Sequence, residues 1–159
     1  MAIYPYNEKV RSLLFQFKGC FDYELKDIFL AYQKTMLKIR FRGYVVAPSP
    51  SSKAHDEARG FNHVYEIFAC LGLPMLKLFE KTTDRKQTEL NYFERQKVGE
   101  WIRYVGPKSL KGEKILLVDD VFTTGSTMKA CLNLLKKHHP KKIRILVMAK
   151  TADPAKPHP

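Results

Sequence analysis

The sequence has few cysteines and no long apolar run. Its three cysteines, Cys20, Cys70 and Cys131, are scattered and form no CxxC pair. This pattern is typical of reduced thiols and argues against a cysteine-based zinc site. Charged residues interrupt every apolar window well before the roughly 18 residues of a membrane span. The opening residues, MAIYPYNEKVR, lack the apolar core of a signal peptide. We therefore expect a cytoplasmic protein with no membrane insertion.

Two common nucleotide-binding motifs are also absent. The sequence contains neither GxxxxGK[ST] nor GxGxxG, which excludes a P-loop and the usual dinucleotide fingerprint. A response-regulator receiver domain is excluded as well. Residues 115–120 look like its first strand, but too few residues follow Asp120 to build its later strands.

Basic residues outnumber acidic ones, 28 to 16, which gives a formal net charge of +12. Such an excess favours anionic partners, among them nucleic acid and phosphorylated metabolites, although solubility alone is an equally good explanation. The basic cluster at Lys136–Lys142 fits a nucleic-acid patch less well than an ordinary cationic helix end. A length of 159 residues with 45% hydrophobic content predicts one globular domain, which we place at residues 1–151. A frayed tail is expected at 152–159.

Hydrophobic periodicity predicts an alternation of helices and strands. Helices are expected at 7–18 with Asn7 as the N-cap, from about Asp22 to Ile39, at Val64–Leu71 and at Met128–Leu135. Strands are expected at 44–47, 75–79, 101–105, 114–118 and 143–148. The run at 114–118 is apolar without alternation, as in a strand buried on both faces. The fold class is therefore α/β, with a mainly parallel central sheet flanked by helices.

The most informative segment is ILLVDDVFTTGST, residues 115–127. Asp119 and Asp120 stand at the carboxyl end of a buried strand, where open parallel sheets bind ligands. The loop that follows contains Thr123, Thr124, Gly125, Ser126 and Thr127, and it leads into a helix whose free N–H groups favour a phosphate. The carboxylates suit a sugar diol or a hydrated Mg²⁺. Two acids at a strand end can instead merely cap a turn, but the whole string favours a ligand site.

Residues 115–127 resemble the PRPP-binding motif of the type I phosphoribosyltransferases. The resemblance implies the fold of that superfamily, Mg²⁺ as cofactor and phosphoribosyl pyrophosphate (PRPP) as ligand. It assigns the ribose diol and the metal to Asp119 and Asp120, and the 5-phosphate to residues 123–127. Members of this superfamily often form homodimers, so the resemblance leaves both a monomer and a homodimer open.

Over most of its length the chain resembles the ComF-type competence proteins. The shared features are Tyr4, Tyr6 and Lys18, the PxP loop at 48–53, RGFN at 59–62, and Gln87, Leu90, Glu94 and Arg95. Two features depart from the family: a four-cysteine zinc module is absent, and Val98 stands where an Asn commonly follows the E-R pair. The second departure weakens the transfer of a catalytic role to this segment.

The resemblance assigns pyrophosphate to the loop after the first buried strand. Ser51, Ser52 and Lys53, with Arg59 of the RGFN segment, would face that group. The alternative for the loop is an ordinary polar turn, and the alternative for Arg59 is an ion pair with Asp56. Residues 81–99 are polar, charged and weakly periodic, and they resemble the flexible hood of the superfamily. Lys81 and the catalytic candidates Arg85, Lys86 and Arg95 would neutralise departing pyrophosphate there, or they simply form a solvated basic loop.

The sequence therefore predicts a ComF-type protein that binds PRPP with Mg²⁺ and is linked to competence and DNA uptake. If it is catalytic, the reaction displaces pyrophosphate from the ribose. The alternative is a non-catalytic adapter that binds single-stranded DNA or other competence proteins. No residue of the sequence identifies the acceptor substrate.

Overall fold

A computed structural model describes residues 1–20, 22–82 and 101–151. Its strands are β1 (Ala2–Pro5), β2 (Val45–Pro48), β3 (Phe79–Lys81), β4 (Ile102–Tyr104), β5 (Lys114–Phe122) and β6 (Lys142–Lys150). Its α-helices are α1 (Glu8–Gly19), α2 (Lys34–Arg40), α3 (Lys53–Arg59), α4 (His63–Ala69) and α5 (Ser126–Lys136). A 3₁₀ helix spans Tyr23–Asp27. None of the helices in these ranges is long and apolar enough to cross a membrane.

A four-stranded parallel sheet forms the centre of the molecule, with strand order β1-β6-β5-β2. The register pairs Ala47 with Leu117 on one side of β5 and Leu117 with Ile145 on the other. This pairing brings the carboxyl ends of β2 and β5 to the same edge of the sheet. The residues that follow those two strands therefore lie side by side.

Helices cover both faces of this sheet, and β5 contributes to both cores. Leu116 and Val118 pack with α1, α2 and α4 on one face. Ile115 and Leu117 pack with α5 and the β3–β4 hairpin on the other face. The run at 115–118 is fully buried, as the continuous apolar pattern predicts. The predicted parallel α/β architecture is confirmed.

A second, antiparallel sheet consists of β3 and β4, in which Phe79 pairs with Tyr104 and Lys81 with Ile102. The segment 83–100, which connects these strands, lies outside the described residues. The strand predicted at 101–105 is confirmed. The one predicted at 75–79 is replaced by a single bridge between Met75 and Val46, followed by β3.

One further expectation needs correction, and the structure adds two elements that were not predicted. The helix predicted from Asp22 to Ile39 is instead a 3₁₀ helix, a series of turns and α2, because the backbone N–H groups of Ile28, Ala31 and Gln33 bond to carbonyls three residues back instead of four. The structure adds α3, which the sequence hides because KAHDEAR lacks an apolar period. It also adds β1, which is too short for its pattern to be distinctive.

Candidate functional site

The candidate site lies at the carboxyl edge of the parallel sheet, where β2 and β5 end together. Ser49 follows β2 and is only 4% exposed, and its backbone N–H donates to the carbonyl of Val118 at 2.8 Å. Asp119 comes next along β5. The loop after β2 and the acids of β5 are therefore joined by the sheet itself.

Asp119 is held firmly by two donors. Its Oδ1 accepts a hydrogen bond from the Ser49 hydroxyl at 2.7 Å and another from the backbone N–H of Asp120 at 2.9 Å. Burial raises the pKa of Asp119 to about 6, although the Ser49 hydrogen bond and the positive charge of Lys18 oppose that rise. A cation, or a hydrogen-bond donor of a ligand, would therefore stabilise the ionised form of this carboxylate.

The loop at 123–127 forms a small concavity of about 40 Å³ together with Asp119. Gly125 has φ of +74°, and a Cβ at this position would lie 2.4 Å from the ring of Phe122. The hydroxyls of Thr124 and Ser126 are 2.9 Å apart. Because α5 begins at Ser126, the backbone N–H groups of its first turn and the positive end of its dipole face the same place, and the Ser126 N–H donates to Thr124 Oγ1 at 3.4 Å. An anion such as a phosphate fits this surface.

Asp120 lies on the opposite face of the sheet from Asp119, because successive strand residues alternate. Its Oδ1 accepts from the backbone N–H of Val121 at 2.6 Å. Its Oδ2 forms an ion pair with the Lys18 ammonium of α1 and lies 3.3 Å from His63 Nε2 of α4. The side chain of Asp120 is 10% exposed. The two acids that the sequence places together thus have different surroundings.

Burial shapes the ionisation of both partners of Asp120. It lowers the pKa of Lys18 to about 8, with Asp119 opposing the shift and Arg59 adding to it. Burial also lowers the pKa of His63 to about 2, and the positive charges of Lys18 and Arg59 lower it further. His63 is therefore neutral at physiological pH, and Lys18 retains most of its charge.

The loop after β2 is tied to the start of α4 through Ser51. The Ser51 hydroxyl donates to the Asp56 carboxylate and accepts from the Asn62 side-chain amide at 2.7 Å. The same amide donates to Asp56 at 2.9 Å. Asn62 also caps α4, because its Oδ1 accepts from the Tyr65 backbone N–H at 2.9 Å. This network fixes the shape of the loop.

Arg59 is engaged within the protein. Its guanidinium lies 3.4 Å from Asp56 and 2.8 Å from His63 Nδ1, and its Nε donates to the carbonyl of Lys18 at 3.2 Å. Only 9% of its side chain is exposed. The structure therefore shows the ion pair that the sequence offered as the alternative for this residue.

A wide cleft of about 1060 Å³ separates the loop after β2 from the β3–β4 hairpin. Ser51 and Lys53 line one wall, and Lys81 of β3 lines the other. Lys53 is 82% exposed and lies 3.7 Å from Glu57, so its ammonium is accessible. The cleft exceeds the roughly 300–1000 Å³ of usual small-molecule sites. Ser52 stands at the N-cap of α3, beside this wall.

The catalytic candidates Arg85, Lys86 and Arg95 lie outside the described residues, as do the rest of the hood beyond Thr82 and the tail at 152–159. Two residues at the site were not predicted as site residues, namely Lys18 and His63. Lys18 enters the sequence argument only through the family resemblance. The lysine and histidine precede Asp120 by about 100 and 60 positions, so no local pattern connects them to it.

Asp119 fits a magnesium ion held jointly with a ligand. Within residues 1–20, 22–82 and 101–151, no three acidic, histidine or cysteine side chains cluster as a metal cage. Mg²⁺ commonly uses one or two carboxylates, several waters and the oxygens of a phosphorylated substrate. Asp119 supplies such a carboxylate beside the concavity at 123–127. Asp120 Oδ2 lies beside Lys18 and His63, but among the described residues no group donates a hydrogen bond to it.

A family model of the phosphoribosyl transferase domain matches residues 60–159. The chain therefore belongs to the phosphoribosyltransferase domain family. Within that family it is ComFC-like. It is 31% identical over 129 residues to competence protein ComFC of Bacillus subtilis and 28% identical over 144 residues to that of Streptococcus pneumoniae. These matches cover 80% and 90% of this chain but 53% and 64% of those relatives, so the chain spans less than two thirds of their length.

Solved structures show the same fold. A hypoxanthine-guanine phosphoribosyltransferase from Bacillus anthracis superimposes with a TM-score of 0.51 at 10% identity, over 86% of this chain and 75% of that one. A hypoxanthine phosphoribosyl transferase from Trypanosoma cruzi gives 0.50 at 11% identity, over 82% and 76%. The predicted phosphoribosyltransferase fold is confirmed at the level of architecture.

Proposed function

We propose that this protein binds PRPP together with Mg²⁺ at the edge formed by β2 and β5. The observation that carries the proposal is the joint placement of Asp119 and the loop 123–127 around one concavity. The loop would hold the 5-phosphate through backbone N–H groups and the hydroxyls of Thr123, Thr124, Ser126 and Thr127, with Gly125 allowing close approach. Asp119 would accept from the ribose diol and contact the metal.

The pyrophosphate of PRPP would lie in the wide cleft beside this concavity. Lys53 and Lys81 face the cleft from its two walls, and both ammonium groups suit a diphosphate. The loop 49–52 would offer backbone N–H groups and hydroxyls. Arg59 would act indirectly, by fixing Asp56 and through it Ser51. A transfer reaction at this site would rely on positioning and on stabilisation of the departing pyrophosphate.

Calorimetric titration of PRPP with Mg²⁺ tests this function. Wild type should bind saturably, and omission of Mg²⁺ should abolish most of the heat. Asp119→Asn should weaken binding by at least about tenfold, because it removes a charge that the metal and the diol both need. Asp22→Asn, an exposed acid at the start of the 3₁₀ helix, is the matched control. A folded wild type that gives no heat would refute the proposal.

A second function is supported by the charge of +12 and by the competence proteins that the chain resembles. We infer that a cytoplasmic role in competence would require contact with incoming single-stranded DNA or with other proteins of that process. The exposed lysines Lys136, Lys137, Lys141 and Lys142 lie at the opposite edge of the sheet from the PRPP site. Binding of an oligonucleotide there should weaken steeply with salt. Binding that is insensitive to salt, or lost in Asp119→Asn, would contradict a separate DNA surface.

A further inference from the structure

We propose that Tyr104 and His138 are positioning residues whose stacked rings hold Lys81 where it meets the pyrophosphate of PRPP. The proposal rests on the PRPP-binding function given above. Neither ring is among the described residues that line the wide cleft. The stack would therefore set the affinity for one half of the ligand without touching the ligand itself.

The rings of Tyr104 and His138 lie face to face, with centroids 3.6 Å apart and planes inclined by 18°. Tyr104 ends β4, and His138 follows the end of α5. The Tyr104 hydroxyl donates to the carbonyl of Pro107 at 2.9 Å, and His138 Nδ1 lies 3.0 Å from the carbonyl of Lys108. Because a carbonyl only accepts, Nδ1 carries a proton. Each ring is thus held at an edge as well as at a face, which fixes its orientation.

The stack is connected to Lys81 through Phe79. Phe79 pairs with Tyr104 across the hairpin, and their rings meet edge to face at 6.2 Å. Lys81 follows Phe79 by two positions on β3 and therefore lies on the same side of the hairpin. Lys81 lines the cleft. Burial raises the pKa of Asp119, and the positive charge of Lys81 opposes that rise, so this ammonium acts on the acid proposed for ribose and metal.

The other end of the connection is α5. This helix begins at Ser126, within the loop proposed for the 5-phosphate, and ends at Lys136, two positions before His138. One helix therefore carries the 5-phosphate loop at its start and the stacking partner of the hairpin just after its end. The stack fixes the distance between this loop and Lys81. A ligand with phosphate groups at both ends of a ribose requires a defined distance between the two subsites.

Calorimetry with PRPP and with ribose 5-phosphate, both with Mg²⁺, tests the proposal. Ribose 5-phosphate shares the 5-phosphate and the diol but lacks the pyrophosphate. His138→Ala should raise the dissociation constant of PRPP about threefold, as expected for loss of one aromatic pair, and leave that of ribose 5-phosphate unchanged. His138→Phe keeps a ring in the stack and should restore most of the PRPP affinity. Asn133→Ala, at an exposed position of α5, is the control.

A double-mutant cycle with Lys81→Met tests the route of the effect. Lys81→Met alone should weaken PRPP binding about tenfold, the loss expected of one charge-assisted hydrogen bond. It should leave the affinity for ribose 5-phosphate unchanged. In the Lys81→Met background, His138→Ala should have no further effect on PRPP affinity, because no ammonium then remains to be positioned.

Trp101 reports on the hairpin without any ligand, because it is the one tryptophan of the sequence. Its carbonyl accepts from the N–H of Thr82 at 2.8 Å, directly beside the strand pair. Acrylamide should quench its fluorescence more strongly in His138→Ala than in wild type, and as in wild type in His138→Phe and Asn133→Ala. If wild type binds no PRPP, the proposed function fails, and quenching alone decides whether the stack holds the hairpin. If His138→Ala does not fold, Tyr104→Leu replaces it in every comparison.

Three results would overturn the proposal. Folded His138→Ala could bind PRPP as wild type does with unchanged quenching, which would limit the stack to surface packing. It could lose affinity for PRPP and ribose 5-phosphate equally, which would indicate general damage to the site. It could weaken PRPP binding further in the Lys81→Met background, which would show an effect that does not pass through Lys81.

Discussion

The hydroxyl of Ser49 donates to Asp119 Oδ1 at 2.7 Å across 70 positions of sequence. Ser49 belongs to the loop after β2, and Asp119 belongs to the end of β5. The hydrogen bond therefore joins the segment proposed for pyrophosphate to the acid proposed for ribose and metal. A substitution on one side of the proposed PRPP site should therefore affect the other side through this hydrogen bond.

Ser49→Ala should lower the free energy of unfolding by about 1–3 kcal/mol, because a buried carboxylate oxygen loses a donor. It should also weaken Mg²⁺–PRPP binding, since Asp119 loses one of the two groups that orient it. Denaturant unfolding and calorimetry measure the two effects. Ser12→Ala, an exposed serine on α1, serves as control. Equal stability of Ser49→Ala and wild type would show that the hydrogen bond is unimportant.

Gly125→Ala should disrupt the loop proposed to bind the 5-phosphate. The residue has φ of +74°, and a Cβ would meet the Phe122 ring at 2.4 Å. Gly112→Ala is a matched control, because Gly112 has φ of +91° but nothing within 4 Å of its Cβ position. Both variants pay the left-handed backbone penalty of about 1–2 kcal/mol, so the excess loss in Gly125→Ala measures the clash.

Gly125→Ala should also lose PRPP binding, whereas Gly112→Ala should retain it. A smaller side chain at position 122 should relieve this clash. The double variant Phe122→Leu/Gly125→Ala should therefore recover part of the stability that Gly125→Ala loses. The same affinity in both glycine variants would argue against close approach of a phosphate to this loop.

Mg²⁺–PRPP affinity should fall as the pH decreases through about 6. Burial raises the pKa of Asp119 to about 6, and only the ionised carboxylate suits a cation. Titrations between pH 5 and 8 measure the effect. Because the phosphates of the ligand also titrate near this range, Asp119→Asn provides the reference. An identical pH dependence in the variant would assign all of the effect to the ligand.

The dependence of stability on pH should reflect two opposing groups. The pKa of His63 is lowered to about 2, so the unfolded chain takes up a proton below about pH 6.5 that the native protein does not, and stability falls with acid. The pKa of Asp119 is raised to about 6 from 3.8, so its protonation favours the native state as the pH falls through 6. Between pH 6 and 4 the two effects offset each other.

Asp119→Asn should therefore expose the effect of His63, and this variant should lose stability more steeply than wild type between pH 6 and 4. The added slope is on the order of 1.4 kcal/mol per pH unit at most. Chemical denaturation at several pH values measures it. Parallel stability curves for the two proteins would mean that Asp119 has an ordinary pKa in the native state.

The cysteines should differ sharply in reactivity. Burial raises the pKa of the Cys131 thiol to about 12, and its side chain is inaccessible in the core. Cys20 is exposed. A thiol reagent at pH 8 should modify Cys20 rapidly in the native protein and Cys131 only after denaturant is added. Mass spectrometry of digested samples identifies the modified residue, and early modification of Cys131 would show that the core opens around α5.

Sequence reasoning succeeds where the determinants of structure are local. The continuous apolar run at 114–118 identifies a doubly buried strand, and the Asn7 and Asn62 side chains cap α1 and α4 as their positions suggest. It fails for α3, because a helix with few apolar residues has no periodicity to detect. It also fails between Asp22 and Ile39, where the apolar spacing suits one α-helix but the backbone N–H groups of Ile28, Ala31 and Gln33 bond three residues back.

The site is predictable in its motif but not in its environment. The string at 115–127 indicates a pair of acids and a candidate phosphate loop, because their chemistry lies within thirteen positions. The separation of Asp119 from Asp120 depends on which helices cover each face of the sheet, and that information is distributed over α1, α4 and α5. Lys18, His63 and the internal pairing of Arg59 therefore emerge only from the three-dimensional fold.

The strand order also has a consequence for synthesis of the chain. In the described sheet, β1 lies at an edge and pairs with β6, the last strand. As the protein leaves the ribosome, β1 therefore has no native strand neighbour until β6 emerges, and β2 has only its bridge to Met75 until β5 emerges. Parallel pairings between such distant segments slow folding and expose apolar surface in the meantime. A nascent chain stalled before residue 142 should accordingly remain sensitive to protease, whatever ligand is present.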